Sequence, residues 1–352
     1  MIQRSALSQV PTVSVIIPCR NEKGYISKTL LNVLEQDYPK DKLEIWVADG
    51  MSDDGTRDEL ESLANTHSQI NWIDNPEQIV PPALNACIKA SSGEVIVRLD
   101  AHSLYPTDYI SKLVHYLVEL DADNTGGVWI TEPANETIEA RAIALATSHP
   151  LGIGDSEFRL ENEEIKEVET VPYGCYRRSV FEQIGMFDND LTRNQDDEFN
   201  ARLKKAGGRI FLIPSVKIRY FARPTLQKMR KMFYHYGLFK PLVNMKIGQP
   251  TTIRQFIPLL FVLANIIALI STIVNYKIGL ALFALIWVPY LLLVFVISLK
   301  LDKDDSEKSL LLNLVITFPS IHLSYGWGYL LGFGKAFNFW RGKGVKKVEI
   351  SR

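Results

Sequence analysis

Three scarcities narrow this 352-residue sequence before any motif is considered. Only three cysteines occur, Cys19, Cys87 and Cys175, far apart and odd in number. They offer neither a paired framework nor metal-ligand spacing, and they read as buried thiols of a reducing compartment. The opening residues MIQRSALSQVP lack an apolar core of signal-peptide length, so the first domain is expected on the cytoplasmic side of a membrane. The third scarcity is local: no Asp or Glu lies between Phe199 and Leu301, a stretch that holds fifteen Lys and Arg.

The overall net charge of −1 therefore averages unlike parts. Residues 1–198 carry thirty-five carboxylates against sixteen Lys and Arg, net −19, while 199–301 are net +15. An acidic half joined to a basic, apolar half points to a soluble domain beside a membrane surface.

Short β-branched runs alternate with helical spacing along the first half. VSVIIP (13–18), LEIWVA (43–48), 70–73 and EVIVRL (94–99) read as strands. Residues 23–36, 57–65 and 80–90 read as helices between them, and 103–118, 180–184 and 196–206 as further helices. This is an α/β pattern with a mainly parallel, doubly covered sheet. Pro18, Asp49 and Asp100 each end a strand and are expected to border one crevice. Residues 150–170 read as an acidic surface segment, and 209–214 as another strand.

The organisation expected is a catalytic domain over 1–218, a basic segment over 219–255, apolar helices over 256–334 and a basic tail over 335–352. The basic, aromatic segment suits a helix lying in a membrane interface; a basic surface that binds a nucleotide or a protein is the alternative. Residues 256–275 and 278–299 are uncharged and long enough to cross a bilayer. The third apolar stretch, 309–334, holds Pro319, His322 and several glycines, so it reads as spanning, re-entrant or interfacial. A simple third crossing would put the basic tail outside, against the positive-inside tendency.

Four constellations carry chemistry. Pro18, Arg20, Asn21 and Glu22 form a loop at a strand end, suited to the edge of a base and a ribose. Asp49, at the head of DGMSDDGT, can accept from the imide N–H of a pyrimidine, whereas Ser52, Asp54 and Thr56 read as helix-capping residues. Asp100 and His102, two apart on an extended segment, can hold a divalent cation against a diphosphate. Asp196, Asp197 and Glu198 open a helix, and one of them can deprotonate an acceptor hydroxyl.

In this order and spacing the four resemble glycosyltransferase family 2 on the GT-A fold, a Rossmann-like nucleotide-diphospho-sugar transferase domain. The resemblance covers about 12–220 and rests on Pro18-x-x-Asn21-Glu22, Asp49 with Asp54-Gly55-Thr56, Ala83-Leu84-Asn85, Gly93-Glu94, Asp100-Ala101-His102, and the acids ahead of Arg202 and Gly207. His102 stands where the family's metal motif usually has Asp, and the D-A-H form is similar to the membrane-associated exopolysaccharide subset of succinoglycan type. The resemblance implies an inverting transfer of a hexose from a nucleotide-sugar, UDP-linked, to a lipid-linked or growing saccharide. It implies Mg2+ or Mn2+ at Asp100 and His102, Asp49 on the base and Asp100 on ribose or metal. Alignment on Arg202 puts the base at Asp196, with Asp197 next in line. Arg177 and Arg178 fall where the family places an acceptor-side loop. The expected partners are the donor, the acceptor and membrane lipid, with no nucleic acid, at the inner membrane.

Gln227, Arg230 and Lys231 give Q-x-x-R-K, a partial match to the Q-x-x-R-W of processive synthases, and transfer of a single sugar is favoured. A polyprenyl-phosphate sugar synthase shares this reading. A nucleotidyltransferase would need a glycine-rich loop after Ile17, and a non-catalytic scaffold would rest on His102 and Gln195 alone.

Overall fold

The computed structural model describes residues 2–154, 156–160, 163–302 and 308–342. The chain folds as two compact units, Met1–Ile130 with Glu161–Tyr220, and Thr131–Leu160 with Phe221–Arg352. Residues 131–160, read from sequence as part of the first domain, thus group with the second unit. Most of the expected basic tail, 343–352, lies outside the described residues.

The first unit is built on an eight-stranded sheet: β1 (Val13–Cys19), β2 (Leu43–Asp49), β3 (Ile70–Asp74), β4 (Val95–Arg98), β5 (Asn124–Glu132), β6 (Lys166–Glu167), β7 (Cys175–Arg177) and β8 (Ile210–Phe221). Their order is β3-β2-β1-β4-β7-β5-β8-β6. The first four strands are parallel. Their crossovers are α1 (Ile26–Leu34), α2 (Thr56–Thr66) and α3 (Val80–Ala90), and α4 (Tyr109–Glu119) follows β4. Ile26, Leu30 and Val33 of α1 are fully buried, as their helical spacing requires.

The sheet is mixed rather than mainly parallel. β7 runs antiparallel to both β4 and β5, and β6 antiparallel to β8. Strands β5 and β7 escape a reading by pattern. β7 has three residues, and β5 opens on Asn124, Thr125, Gly126 and Gly127, of which the asparagine and the two glycines are poor strand formers that are nevertheless buried. Two further helices complete the unit, α7 (Arg178–Ile184) and α8 (Gln195–Lys205); α5 and α6 belong to the second unit.

That second unit comprises α5 (Ile138–Ala146), α6 (Pro150–Ile153), α9 (Leu226–Ile247), α10 (Ile257–Val274), α11 (Tyr276–Leu301) and α12 (Lys308–Trp340). Helix α9 packs along α12, burying Met229, Met232, Phe233, Leu238, Phe239 and Leu242. Glycines set the approach: a Cβ on Gly237 would meet the Tyr329 nitrogen at 2.8 Å, and one on Gly328 the Tyr234 carbonyl carbon at 2.9 Å. Small residues at such positions let helix backbones touch.

Helices α10, α11 and α12 are each long and apolar enough to cross a membrane. The stretch whose path the sequence left open is one continuous helix with Pro319 inside it. His322 ties it down: its Nε2 donates to the Leu151 carbonyl at 2.7 Å, which leaves Nδ1 to accept from the Tyr290 hydroxyl at 2.7 Å. Helices α10 and α11 leave Ile267, Leu269, Ile273, Leu280, Leu285 and Val288 uncovered by protein, a surface too large and apolar for water.

Candidate active site

The parallel strands end together, and the loops beyond them build the site. The register sets Cys19 of β1 beside Asp49 of β2. Asp49 is wholly buried, and its carboxylate accepts from the Ser52 amide (3.0 Å), the Ser52 hydroxyl (2.5 Å) and Arg57 (2.9 Å). Arg57 also pairs with Asp74 at 2.9 Å and lies over the Trp72 ring. Buried and already bonded, Asp49 anchors the loop.

The N-cap of α2 is Gly55, in the left-handed region, and Asp54 Oδ1 accepts from the amide of Thr56, the first residue of the helix, at 3.0 Å. Ser52, Asp54 and Thr56 also fasten the neighbouring loop. The Asn21 amide donates to Ser52 Oγ (2.8 Å), the Glu22 amide to Thr56 Oγ1 (2.8 Å) and the Lys23 amide to Asp54 (3.1 Å). Partial burial works against the Asp54 charge, but these bonds and those from Thr56 hold it below the ordinary carboxylate range. The Asn21 carboxamide closes the link by accepting from the Asp53 amide. The loop therefore presents Arg20 and Asn21 at the surface, with the Arg20 stem across Gly50, while Pro18 stays within β1 and Glu22 is buried.

On the other side of β1, the chain turns after β4 instead of extending. The turn brings His102 Nδ1 to 3.5 Å from Glu22 Oε1. Asp100 precedes it, and the residue that organises this region is Arg98. Buried at the end of β4, its guanidinium reaches Asp100 at 2.9 Å and Asp196 at 3.2 Å. It also lies over the Tyr173 ring at 5.1 Å.

One cation thus serves two carboxylates, and their protonation splits. Burial acts to lower the Arg98 pKa, yet Asp100 and Asp196 together drive it up. Burial acts to raise Asp100, but Arg98, His102, the Tyr173 hydroxyl and Arg193 outweigh it, so Asp100 lies below its ordinary range. Asp196 lies above its range: burial dominates, Arg98 offsets it only in part, and Asp100 and Asp197 add repulsion. Asp196 Oδ1 is buried and takes no hydrogen bond among the described residues. Asn194, at φ 61°, turns the chain into α8 and places Asp196 in its first turn. Asp197 is its half-buried neighbour, while Glu198 is held by Arg202 in a two-bond pair at 2.9 Å.

Arg177 and Arg178 are not brought to this crevice. Antiparallel pairing sets Arg177 opposite Val95, at the far end of β4 from Asp100. Arg177 donates to the carbonyls of Ala122 (2.7 Å) and Ser5 (2.9 Å) and pairs with Asp121. Arg178 donates to the carbonyls of Gly93 and Ile88 and to Ser91 Oγ. The same register carries Tyr173 to the crevice instead. Asn85 and Glu94 are likewise structural: Asn85 pins Phe187 and Asn189, and Glu94 accepts from Ser8 and Thr12.

Arg98, Arg57 and Asp74 were missed from the sequence. Arg98 had a signal: a charge inside the apolar run EVIVRL must be paired once the strand is buried. Among the described residues no group of three or more His, Cys, Asp or Glu could hold a metal. Asp100 and His102 nonetheless offer one carboxylate and one imidazole, a partial set that fits a cation completed by diphosphate oxygens and water.

A model of glycosyl transferase family 2 matches residues 14–185. The succinoglycan biosynthesis protein ExoA of Rhizobium meliloti (strain 1021) is 28% identical over 247 residues, 70% of this chain and 74% of that protein. A dolichyl N-acetyl-α-D-glucosaminyl phosphate 3-β-D-2,3-diacetamido-2,3-dideoxy-β-D-glucuronosyltransferase of Methanococcus voltae is 31% identical over 240 residues, 66% of this chain and 74% of that one. In structure the chain is similar to the mannosyltransferase PcManGT of Pyrobaculum calidifontis, solved with GDP-Man and Mn2+. The TM-score is 0.55 at 18% identity, over 93% of this chain and 87% of that one. The GT-A fold class expected from the sequence is borne out.

Proposed function

The chain belongs to glycosyl transferase family 2, and from that premise we propose that it moves one hexose from a UDP-sugar to a lipid-linked saccharide at the membrane, with inversion at the anomeric carbon. The observation that carries the mechanism is Asp196, held by Arg98 and raised in proton affinity.

The carboxylate of Asp196, a half-buried residue, takes the proton of the acceptor hydroxyl. The hydroxyl oxygen bonds to the anomeric carbon as the bond to the diphosphate oxygen breaks on the opposite face. The electron pair leaves with the nucleoside diphosphate. Arg98 fixes Asp196 against Asp100, so the base and the leaving-group side keep one spacing. Arg20 and Asn21, on a loop fastened by Ser52 and Thr56, flank the nucleoside, and Asp49 keeps that loop in place. Mg2+ or Mn2+ bound by Asp100 and His102 would neutralise charge on the diphosphate. Repulsion from Asp100 and Asp197 adds to the burial that raises Asp196.

Support for the acceptor comes from the apolar helices and from the relatives, whose names specify succinoglycan biosynthesis and a dolichyl phosphate-linked sugar. The basic character of 219–254 supports a cytoplasmic catalytic side. The test is a donor screen on membranes containing the protein, with lipid-extractable product read by mass and its new linkage by NMR. Transfer from a UDP-hexose with inverted configuration is expected. Retained configuration, or release of pyrophosphate from a nucleoside triphosphate, sinks the reading.

A further inference from the structure

Within the helical unit, α9, α10, α11 and α12 line an open groove of about 660 Å³. Its wall along α10 runs from Val262 to Leu269, two turns or about 10 Å, and Phe283, Leu323 and Trp327 line the other sides. Arg230 and Lys231 of α9 also line it. Two of the five Arg230 N–H donors go to Ser320 Oγ, at 3.1 and 2.8 Å, and Ser320 in turn donates to the Ile316 carbonyl. The guanidinium is thereby anchored to α12. No Asp or Glu occurs on any of the four lining helices.

We propose that this groove binds the phosphate and first isoprenoid units of the lipid carrier on which the acceptor sugar rides. Arg230 and Lys231 take the phosphate, and Val262, Ile266, Leu269, Phe283 and Leu323 take the chain. The assignment rests on the lipid-linked acceptor proposed above. An arginine fork held in place from one side suits two-point recognition of phosphate oxygens, and the adjacent lysine adds a point charge. The volume lies within the range of small-molecule sites, enough for a headgroup and the start of one chain, the remainder running out into the bilayer between α10 and α11. This gives Arg230, the arginine of Q-x-x-R-K, a role without processive synthesis.

The experiment uses the full chain in lipid nanodiscs and a farnesyl phosphate carrying a photoreactive diazirine. Labelling is expected on the segments around 262–269, 283 and 323–327. Unlabelled farnesyl phosphate should compete, with farnesol and phosphatidylglycerol at least tenfold weaker. Arg230→Gln and Lys231→Gln should each lower labelling about tenfold. Because Arg230 also braces α12, Leu269→Trp serves as a second block, filling the chain path from an exposed position. Equal competition by phosphatidylglycerol, labelling outside these segments, or full labelling of Leu269→Trp would overturn the proposal. Sugar transfer to a lipid-linked acceptor is measured in the same preparations. Unchanged transfer where labelling is lost removes the carrier from this groove while leaving the enzyme reading intact. Groove labelling without transfer to any lipid acceptor keeps the site and rejects the acceptor.

Discussion

The arginines of the two units are held by different means. In the sheet unit Arg57, Arg98, Arg177 and Arg202 are each tied to carboxylates or carbonyls of the unit itself. In the helical unit Arg230 is tied to a hydroxyl, while Lys246 and Lys335 lie over the rings of Phe339 and Phe239. A cation paired with internal acids maintains the fold and tunes its neighbours. On α9 and α12, which carry no Asp or Glu, cations meet a hydroxyl and aromatic rings instead. The −19 and +15 halves of the sequence are the coarse form of this division.

The largest effect expected in breaking that contrast is at Arg98. Arg98→Leu leaves Asp100 and Asp196 without their shared cation, and loss of one partner from a buried pair costs about 3–5 kcal/mol. Chemical denaturation should show it, and adding Asp196→Asn should recover part of the loss. No recovery would mean that Arg98 stabilises through Tyr173 packing and not through the acids.

The helical unit should break by shape instead. Gly328→Leu forces α12 away from the Tyr234 backbone, an overpacking expected to cost about 1–3 kcal/mol. A lowered melting temperature in detergent, with the donor affinity unchanged, is the expected outcome.

A comparable loss, about 1–3 kcal/mol, is expected from Arg177→Ala, because the carbonyls of Ala122 and Ser5 lose a donor. The Michaelis constant for the acceptor should not change. A raised constant at unchanged stability would restore Arg177 to the acceptor side.

The smallest effect concerns pH. Burial acts to raise Glu44 and Glu94, but hydrogen bonds from Ser14, Ser92 and Trp46 to Glu44, and from Ser8 and Thr12 to Glu94, lower both below the ordinary 4.5. A depressed folded-state pKa contributes stability that is complete above the unfolded value and is lost as pH falls through the folded one. The denaturation midpoint should therefore fall as pH drops below about 4.5, and less steeply in Glu94→Gln. An unchanged slope would show that the Ser8 and Thr12 bonds do not favour the ionised form.

Much of this was legible in the sequence because strand ends announce themselves. VSVIIP, LEIWVA and EVIVRL are apolar runs that stop at Pro18, Asp49 and Asp100, and the crossover helices carry plain helical spacing. What was hidden depends on long-range register. Tyr173 reaches the crevice, and Arg177 leaves it, only because the three-residue strand β7 runs antiparallel to β4. Asp49 is legible as a strand-end carboxylate, whereas its burial follows from Ser52 and Arg57 folding back over it. Asp196 meets Arg98 across nearly a hundred residues, and no local pattern records that pairing. The grouping of 131–160 with the later helices was hidden for the same reason: His322 reaching the Leu151 carbonyl is a matter of packing alone.

The central claim, that Asp196 is the base, is tested most directly by comparing steady-state transfer in wild type and Asp196→Asn, with donor affinity measured by calorimetry on the same samples. A fall in kcat of about 10²–10⁴-fold, the usual contribution of a general base, with donor affinity unchanged, is the predicted result. Transfer at the wild-type rate by Asp196→Asn would contradict it.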